Sequence, residues 1–385
     1  MSLRNTAFGL ALGLLIPAVA GAEPGVTPDT VTFGQVAAFE GPAAALGTGM
    51  RAGIIAAFEE ANAAGGVNGR RLALETADDG YEPNASAEAV KAMLASGGVF
   101  GLIGPVGTPT SKATQPLATE AGAPFVGAFT GAGFLRDPTL QNVINLRASY
   151  GAETEAWIAH LVDKEKLTKI AILYQDDAFG RVGLDGVTAA LAKRNMTLVA
   201  EGTFTRNTVA VKSALLEIRK SEPEAVVMVG PYKPMAEFIK LARKIKFNPT
   251  FVNISFVGSK ALAEELGPDG DGVIVSQVVP LPWDDTIPVV ARYRAALAAH
   301  QPDAEPDFVS LEGYLTGLLA IAALEAAGSE PTREGFLAAA RGMSARDLGG
   351  VTLSFGPEDN QGLDSVFLTR IEANGGFALV RGPGA

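Results

Sequence analysis

The sequence predicts an α/β protein of two Rossmann-like lobes, each a parallel sheet flanked by helices. Three observations point there. Short apolar runs bounded by turn residues alternate with helical patterns along most of the 385 residues, the signature of parallel sheets covered on both faces. The alternation begins twice, at Val31 and again at Lys169. About 360 residues remain once an N-terminal leader is set aside, more than one compact core usually holds.

The leader is residues 1–22. Arg4 supplies a short basic start, and Ala7–Val19 is apolar but too short and too broken to span a membrane comfortably. Ala20-Gly21-Ala22 forms a small-residue cleavage site, so the mature chain is expected to begin at Glu23. No Cys follows, which excludes a lipoprotein anchor. Val31–Ala37 then reads as a buried strand ending at Glu40-Gly41-Pro42. Met50, Ile54, Phe58 and Ala61 fall on one helical face, and Gly65-Gly66 with Asn68-Gly69 stop that helix. Leu72–Thr76 is the next strand, ended by Asp78-Asp79, which completes a βαβ opening. Further strands are expected at Val99–Gly104, Ala123–Gly127, Lys169–Tyr174, Ala225–Gly230, Thr250–Ile254 and Val273–Val279. Helices are expected at Ala85–Leu94, Glu153–Leu161, Gly183–Leu191, Met235–Ile245, Pro288–Ala299, Leu311–Ala326 and Arg333–Gly342. Val351–Phe355, Ser365–Ile371 and Gly376–Val380 read as antiparallel strands.

Composition removes several classes of function. Without Arg4 the chain carries 30 basic against 42 acidic residues, a net charge of −12. That disfavours nucleic acid and anionic membranes as partners. With no Cys there is no disulfide, no thiolate metal site and no Cys nucleophile. After the leader no segment runs 18 uninterrupted apolar residues. His160 and His300, the two histidines, lie far apart in predicted helices and read as surface residues. There is no G-x-S-x-G, H-E-x-x-H or Walker A sequence. Asp78-Asp79 and Asp176-Asp177 sit where carboxylates cap helix starts, which is a structural role.

Three pieces recur together here: Gly41-Pro42 after strand one, the turn A-N-A-A-G-G-V-N-G-R-R-L, and Asp78-Asp79 after strand two. In this the chain resembles the type I periplasmic solute-binding proteins, the branched-chain amino-acid-binding family of ABC transporters. The resemblance extends over essentially the whole mature chain. It implies a three-stranded hinge, with crossings near Arg147, Val279–Pro282 and Gly349-Gly350. Lobe 1 would then be 23–147 with 280–349, and lobe 2 would be 148–279 with 350–385. It also implies a periplasmic, monomeric receptor that closes on one small molecule and delivers it to an ABC permease. No catalysis, cofactor or metal is implied. A sensor that presents its ligand to a membrane receptor is the alternative.

Open α/β sheets bind ligands beyond the C-terminal ends of their strands. Gly107 and Thr108 lie at such an end; Thr108 fits an N-cap with Pro109 at the first helical position, and free N–H groups there suit a ligand carboxylate. In the resembled family these residues bind the α-carboxylate. Phe129, Thr130 and Gly131 follow the next strand, where the family supplies a carbonyl and a hydroxyl to the ligand ammonium; ungapped counting puts the hydroxyl position on Gly131, one residue after Thr130. Tyr150 follows the first crossing, Phe179 stands where relatives carry a pocket-closing aromatic, and Leu46 where some carry an indole. Amino-acid-binding members place a carboxylate after the strand at Thr250–Ile254. Here Ser255 and Phe256 stand there, with no acid within three residues. A buried ammonium without an ionic partner is costly. The expected ligand is therefore a carboxylate with an aromatic or apolar body, the alternative being an amino acid whose ammonium meets Glu40 or Asp177.

Overall fold

A computed structural model describes residues 23–380. The expected leader, residues 1–22, lies outside the described residues.

The first sheet contains β1 (Thr30–Ala37), β2 (Arg71–Asp78), β3 (Leu102–Ile103), β4 (Phe125–Val126) and β5 (Val143–Ile144). Its order is β2-β1-β3-β4-β5 and every pairing is parallel. Helices α1 (Ala44–Ala63), α2 (Pro83–Ser96) and α3 (Thr108–Glu120) make its crossovers. After α4 (Tyr150–Ile158) a second series runs through β6 (Ile170–Gln175), α5 (Ala178–Ala192), β7 (Ala200–Phe204), α6 (Lys212–Lys220), β8 (Ala225–Val229), α7 (Tyr232–Lys244), β9 (Thr250–Asn253), α8 (Ser259–Leu266) and β10 (Ile274–Gln277). These strands order as β7-β6-β8-β9-β10, which repeats the order of the first sheet. Both sheets thus reverse direction of winding at their second strand position, where such sheets open a crevice.

Helices α9 (Pro288–His300), α10 (Phe308–Ala327) and α11 (Arg333–Arg341) return to the first sheet, with α9 and α10 packed on α1. By length and composition α10 could cross a membrane, although Ser310, Glu312 and Thr316 interrupt its apolar run; 94% of its apolar 18-residue window is buried inside the protein, so it is a core helix. The hairpin β11 (Arg346–Asp347) and β12 (Thr352–Leu353) follows. Gly349 accepts from the Val289 N–H on α9, and Gly362 N–H donates to Asn145 at 2.9 Å beside β5. Pairing with the second sheet begins only at β13 (Phe367–Ile371), antiparallel to β10, followed by β14 (Phe377–Leu379). The final pass between sheets therefore follows Gly362, later than Gly349-Gly350.

Two expected features differ. His160 is buried rather than on the surface; it sits in a π-helical stretch, Ala159–Lys164, and burial lowers its pKa. Asp78 caps no helix. Its carboxylate accepts from the Phe39 and Glu40 N–H groups at 2.6 and 3.0 Å and pins the loop after β1.

Candidate functional site

The strand ends of the two sheets face each other, and a row of aromatic rings bridges them. Phe256, after β9, lies 6.0 Å from Tyr81 and 5.3 Å from Phe129, both beyond strands of the first sheet. Phe179, at the start of α5, lies 4.6 Å from Phe256 and 5.5 Å from Tyr150. All five rings are at most 2% exposed. Tyr81 holds its place with a left-handed backbone, φ 62°, which is uncommon for a bulky residue and concentrates at functional sites. Gly107 makes room for it, since a Cβ there would come 2.3 Å from the Tyr81 ring. At the rim, Arg206 pairs with Glu82 at 2.7 Å, and Asn207 donates to Gly80 and Glu82. Leu46 on α1 meets Gly258 across the gap, where a Cβ would lie 2.6 Å from its methyl.

Thr108 is not the N-cap of α3. Gly107 is, with no side-chain cap, and Thr108 and Pro109 open the helix. The Thr108 hydroxyl is thereby released from capping and pairs with Thr130 Oγ1 at 2.6 Å. Thr130 Oγ1 also accepts from the Ala132 N–H at 3.2 Å. The hydroxyl of this loop thus comes from Thr130, not from position 131. Gly131 is glycine for a packing reason: a Cβ would lie 2.6 Å from the Tyr150 nitrogen and 2.5 Å from its ring.

Arg147 lies at the centre of the cluster and is fully buried. Its Nη2 sits 3.4 Å from Glu153 Oε1 on α4 and also donates to the Ser255 hydroxyl. Its Nε is 3.6 Å from Glu312 Oε1 on α10. The guanidinium lies over the Phe129 ring at 4.8 Å and near Tyr150 at 5.8 Å, a favourable cation–π arrangement. Glu153 is saturated: Oε1 accepts from the Ser255 hydroxyl at 2.8 Å, and Oε2 accepts from the Ser255 N–H at 2.9 Å and from Ser276 Oγ. Glu312 is not. Its Oε1 has no hydrogen-bond donor, and neither Arg147 Nε nor Nη1 has a hydrogen-bond partner; the Tyr150 hydroxyl lies beside Thr130 and Gly131. Burial pushes Glu312 up to about 7, with Arg147 pulling down, Glu153 pushing up and Arg136 pulling down. Burial also pushes the Tyr150 phenol up to about 12, so it is a donor at neutral pH. Arg136 braces the whole loop by donating to the carbonyls of Ala132 and Arg147 at 2.9 and 2.8 Å.

All ten residues singled out from the sequence are buried. The structure gathers Phe129, Tyr150, Phe179 and Phe256 into one ring row and pairs Thr108 with Thr130. Gly107 and Gly131 act as clearances, Leu46 lies at the Gly258 contact, and Ser255 binds Glu153 and Arg147. That no acid stands near Ser255 holds along the sequence and fails in space, because Glu153 reaches it from 102 residues away. Glu40 is exposed, and Asp177 is taken up as the N-cap of α5 and by Arg206 at 3.0 Å. Sequence reasoning passed over Tyr81, Glu153 and Glu312, and read Arg147 only as a crossing point.

Two α/β lobes of matching strand order, meeting over a buried polar and aromatic cluster, define a two-lobed solute-binding fold. A family model described as periplasmic binding protein matches residues 30–376, and the chain belongs to that family, within its leucine-binding branch. A solved structure of a possible leucine/isoleucine/valine-binding protein from Rhodopirellula baltica SH 1 is 36% identical, with a TM-score of 0.88, covering 94% of this chain and 98% of its own. A substrate-binding periplasmic protein from Ralstonia solanacearum is 26% identical with a TM-score of 0.86, covering 91% and 99%. Leu/Ile/Val-binding protein homolog 3 of Brucella melitensis is 28% identical over 230 residues, 60% of each chain. The chain spans about three fifths of the length of the curated relatives it matches. These relatives are described as binding proteins, not enzymes.

Proposed function

We propose that this protein is the periplasmic substrate-binding component of an ABC importer, and that its two lobes close on a small carboxylate with an aromatic or apolar body. The lobes are taken as 23–147 with 280–362, and 148–279 with 363–380. The observation that carries the ligand class is the chemistry gathered between them. Five rings supply an apolar wall, and beside it the Arg147 guanidinium keeps Nη1 and Nε unused as donors, with Glu312 Oε1 and Gln175 Oε1 as unused acceptors. A ligand that meets the guanidinium must bring an acceptor and an apolar body. Hinge closure then follows from contacts made to both lobes at once, since a ligand biases a two-state hinge only by its differential affinity for the closed form.

A second reading is favoured by the unpartnered Glu312 Oε1 and by the names of the relatives: a branched-chain amino acid whose ammonium meets Glu312. Mass spectrometry of the small molecules released from the denatured protein separates the two. An acid without an amine, at one per chain, supports the first; leucine, isoleucine or valine at that ratio refutes it.

A further inference from the structure

We propose that the ligand's anionic group is held by Nη1 of Arg147 together with the Tyr150 hydroxyl, and that it displaces Glu312 as the second counter-ion of the guanidinium. This rests on the receptor reading above and specifies where the ligand's charge goes.

Arg147 is fully buried and has two counter-ions of unequal quality. Glu153 is fixed by two serines and a backbone N–H, so it is a permanent partner. Glu312 stands 3.6 Å from Nε, beyond hydrogen-bond reach, with Oε1 unsatisfied. A buried guanidinium with two donors unused is rare, because unmet donors carry their full desolvation cost. The guanidinium that carries these donors lies over the Phe129 ring at 4.8 Å and near the Tyr150 ring at 5.8 Å, two of the rings of the apolar wall. Two positive charges, Arg147 and Arg136, against Glu153, Glu312 and a ligand anion would leave an excess of one negative charge in a buried site. The cluster relieves it by protonating the least satisfied of the three anions. Glu312 is that group: the charged side chains facing it are Arg147 and Arg136, from the segments flanking β5, and Glu153 from α4. It already sits near its titration point at neutral pH. Binding of an anion therefore draws a proton onto Glu312, and binding of an ammonium there would expel one.

The test counts protons. The purified protein is titrated calorimetrically in phosphate and in Tris, whose ionisation heats differ, with 4-methylpentanoate, leucine and 3-methylbutylamine, and with 3-phenylpropanoate, phenylalanine and 2-phenylethylamine. The expected result is binding of the two acids with uptake of about half a proton at pH 7 and more at pH 8. Glu312→Gln should keep acid binding and abolish the uptake. Arg147→Gln should weaken acid binding roughly 10- to 100-fold, the usual loss for a charge-assisted pair, with partial recovery in Arg147→Lys. Should Arg147→Gln not fold, the near-isosteric Glu312→Gln still decides. Acid binding with the same proton count in the native protein and Glu312→Gln overturns the proposal. Binding of leucine or the amines with proton release overturns it too, by placing an ammonium at Glu312, while leaving the receptor reading intact. Failure of both acids to bind overturns the proposal, while the receptor reading stands or falls on the compound released from the denatured protein.

Discussion

Removing Glu153 should be among the most destabilising single changes in the protein. Its carboxylate accepts from the Ser255 N–H, the Ser255 hydroxyl, the Ser276 hydroxyl and Arg147, all in buried residues. Glu153→Ala leaves the buried Arg147 guanidinium with Glu312 alone, at 3.6 Å. Breaking a buried pair by removing one partner costs about 3–5 kcal/mol. For a chain of this size the entropy of unfolding is roughly 0.75 kcal/mol/K, so the thermal midpoint should fall by about 5 °C. Glu153→Gln keeps one acceptor oxygen but turns the other into an NH2 donor that faces donors, and should cost somewhat less than Glu153→Ala. Adding Arg147→Met to Glu153→Ala should recover most of the loss, because the stranded charge is then gone. Calorimetric melting of the three variants checks this. If Glu153→Ala costs less than about 1 kcal/mol, or the double variant is worse than the single, Glu153 is not the saturated anchor of Arg147 described.

Gly131→Ala should destabilise by about 1–3 kcal/mol, since the clash is with the Tyr150 backbone nitrogen at 2.6 Å and no rotamer relieves it; chemical denaturation measures this. Glu312 holds its proton to about 7 when folded, against 4.5 ordinarily. The native state then binds more protons than the unfolded chain across that window, so stability falls as pH rises from 4.5 to 7, by about 3 kcal/mol from this group; melts at several pH values should show a flatter profile in Glu312→Gln. Thr108→Ala should destabilise the protein by about 0.5–1.5 kcal/mol through loss of the buried hydroxyl pair with Thr130; chemical denaturation measures this, and no change would show that the pair contributes nothing to stability.

Much of the fold was legible because buried parallel strands are nearly uninterrupted apolar runs, as in Ile170–Gln175 and Ala225–Val229. β7, Ala200–Phe204, gave no such signal: it is a sheet edge with alternate residues exposed and a glycine in the middle. β5 is two residues long and is held by its parallel neighbour rather than by its own pattern. At the site, residues read singly at strand ends, such as Thr130, Phe179 and Phe256, did come together. Arg147 was opaque because Ser255 lies 108 residues away, and Glu153, though only 6 residues away, is held by that same distant serine, so no local spacing encodes the contact. Glu312 was hidden for a similar reason: it sits in an apolar helix whose composition gives no hint that one polar side chain points into a charge cluster.

Small-angle scattering tests the receptor mechanism most directly. The protein is freed of bound small molecules by unfolding and refolding, then measured before and after saturation with the compound recovered from the native preparation. Closure of two lobes on a bridging ligand predicts a smaller radius of gyration in the saturated sample. An unchanged radius, with saturation established by calorimetry on the same sample, would contradict closure as the event that ligand binding drives.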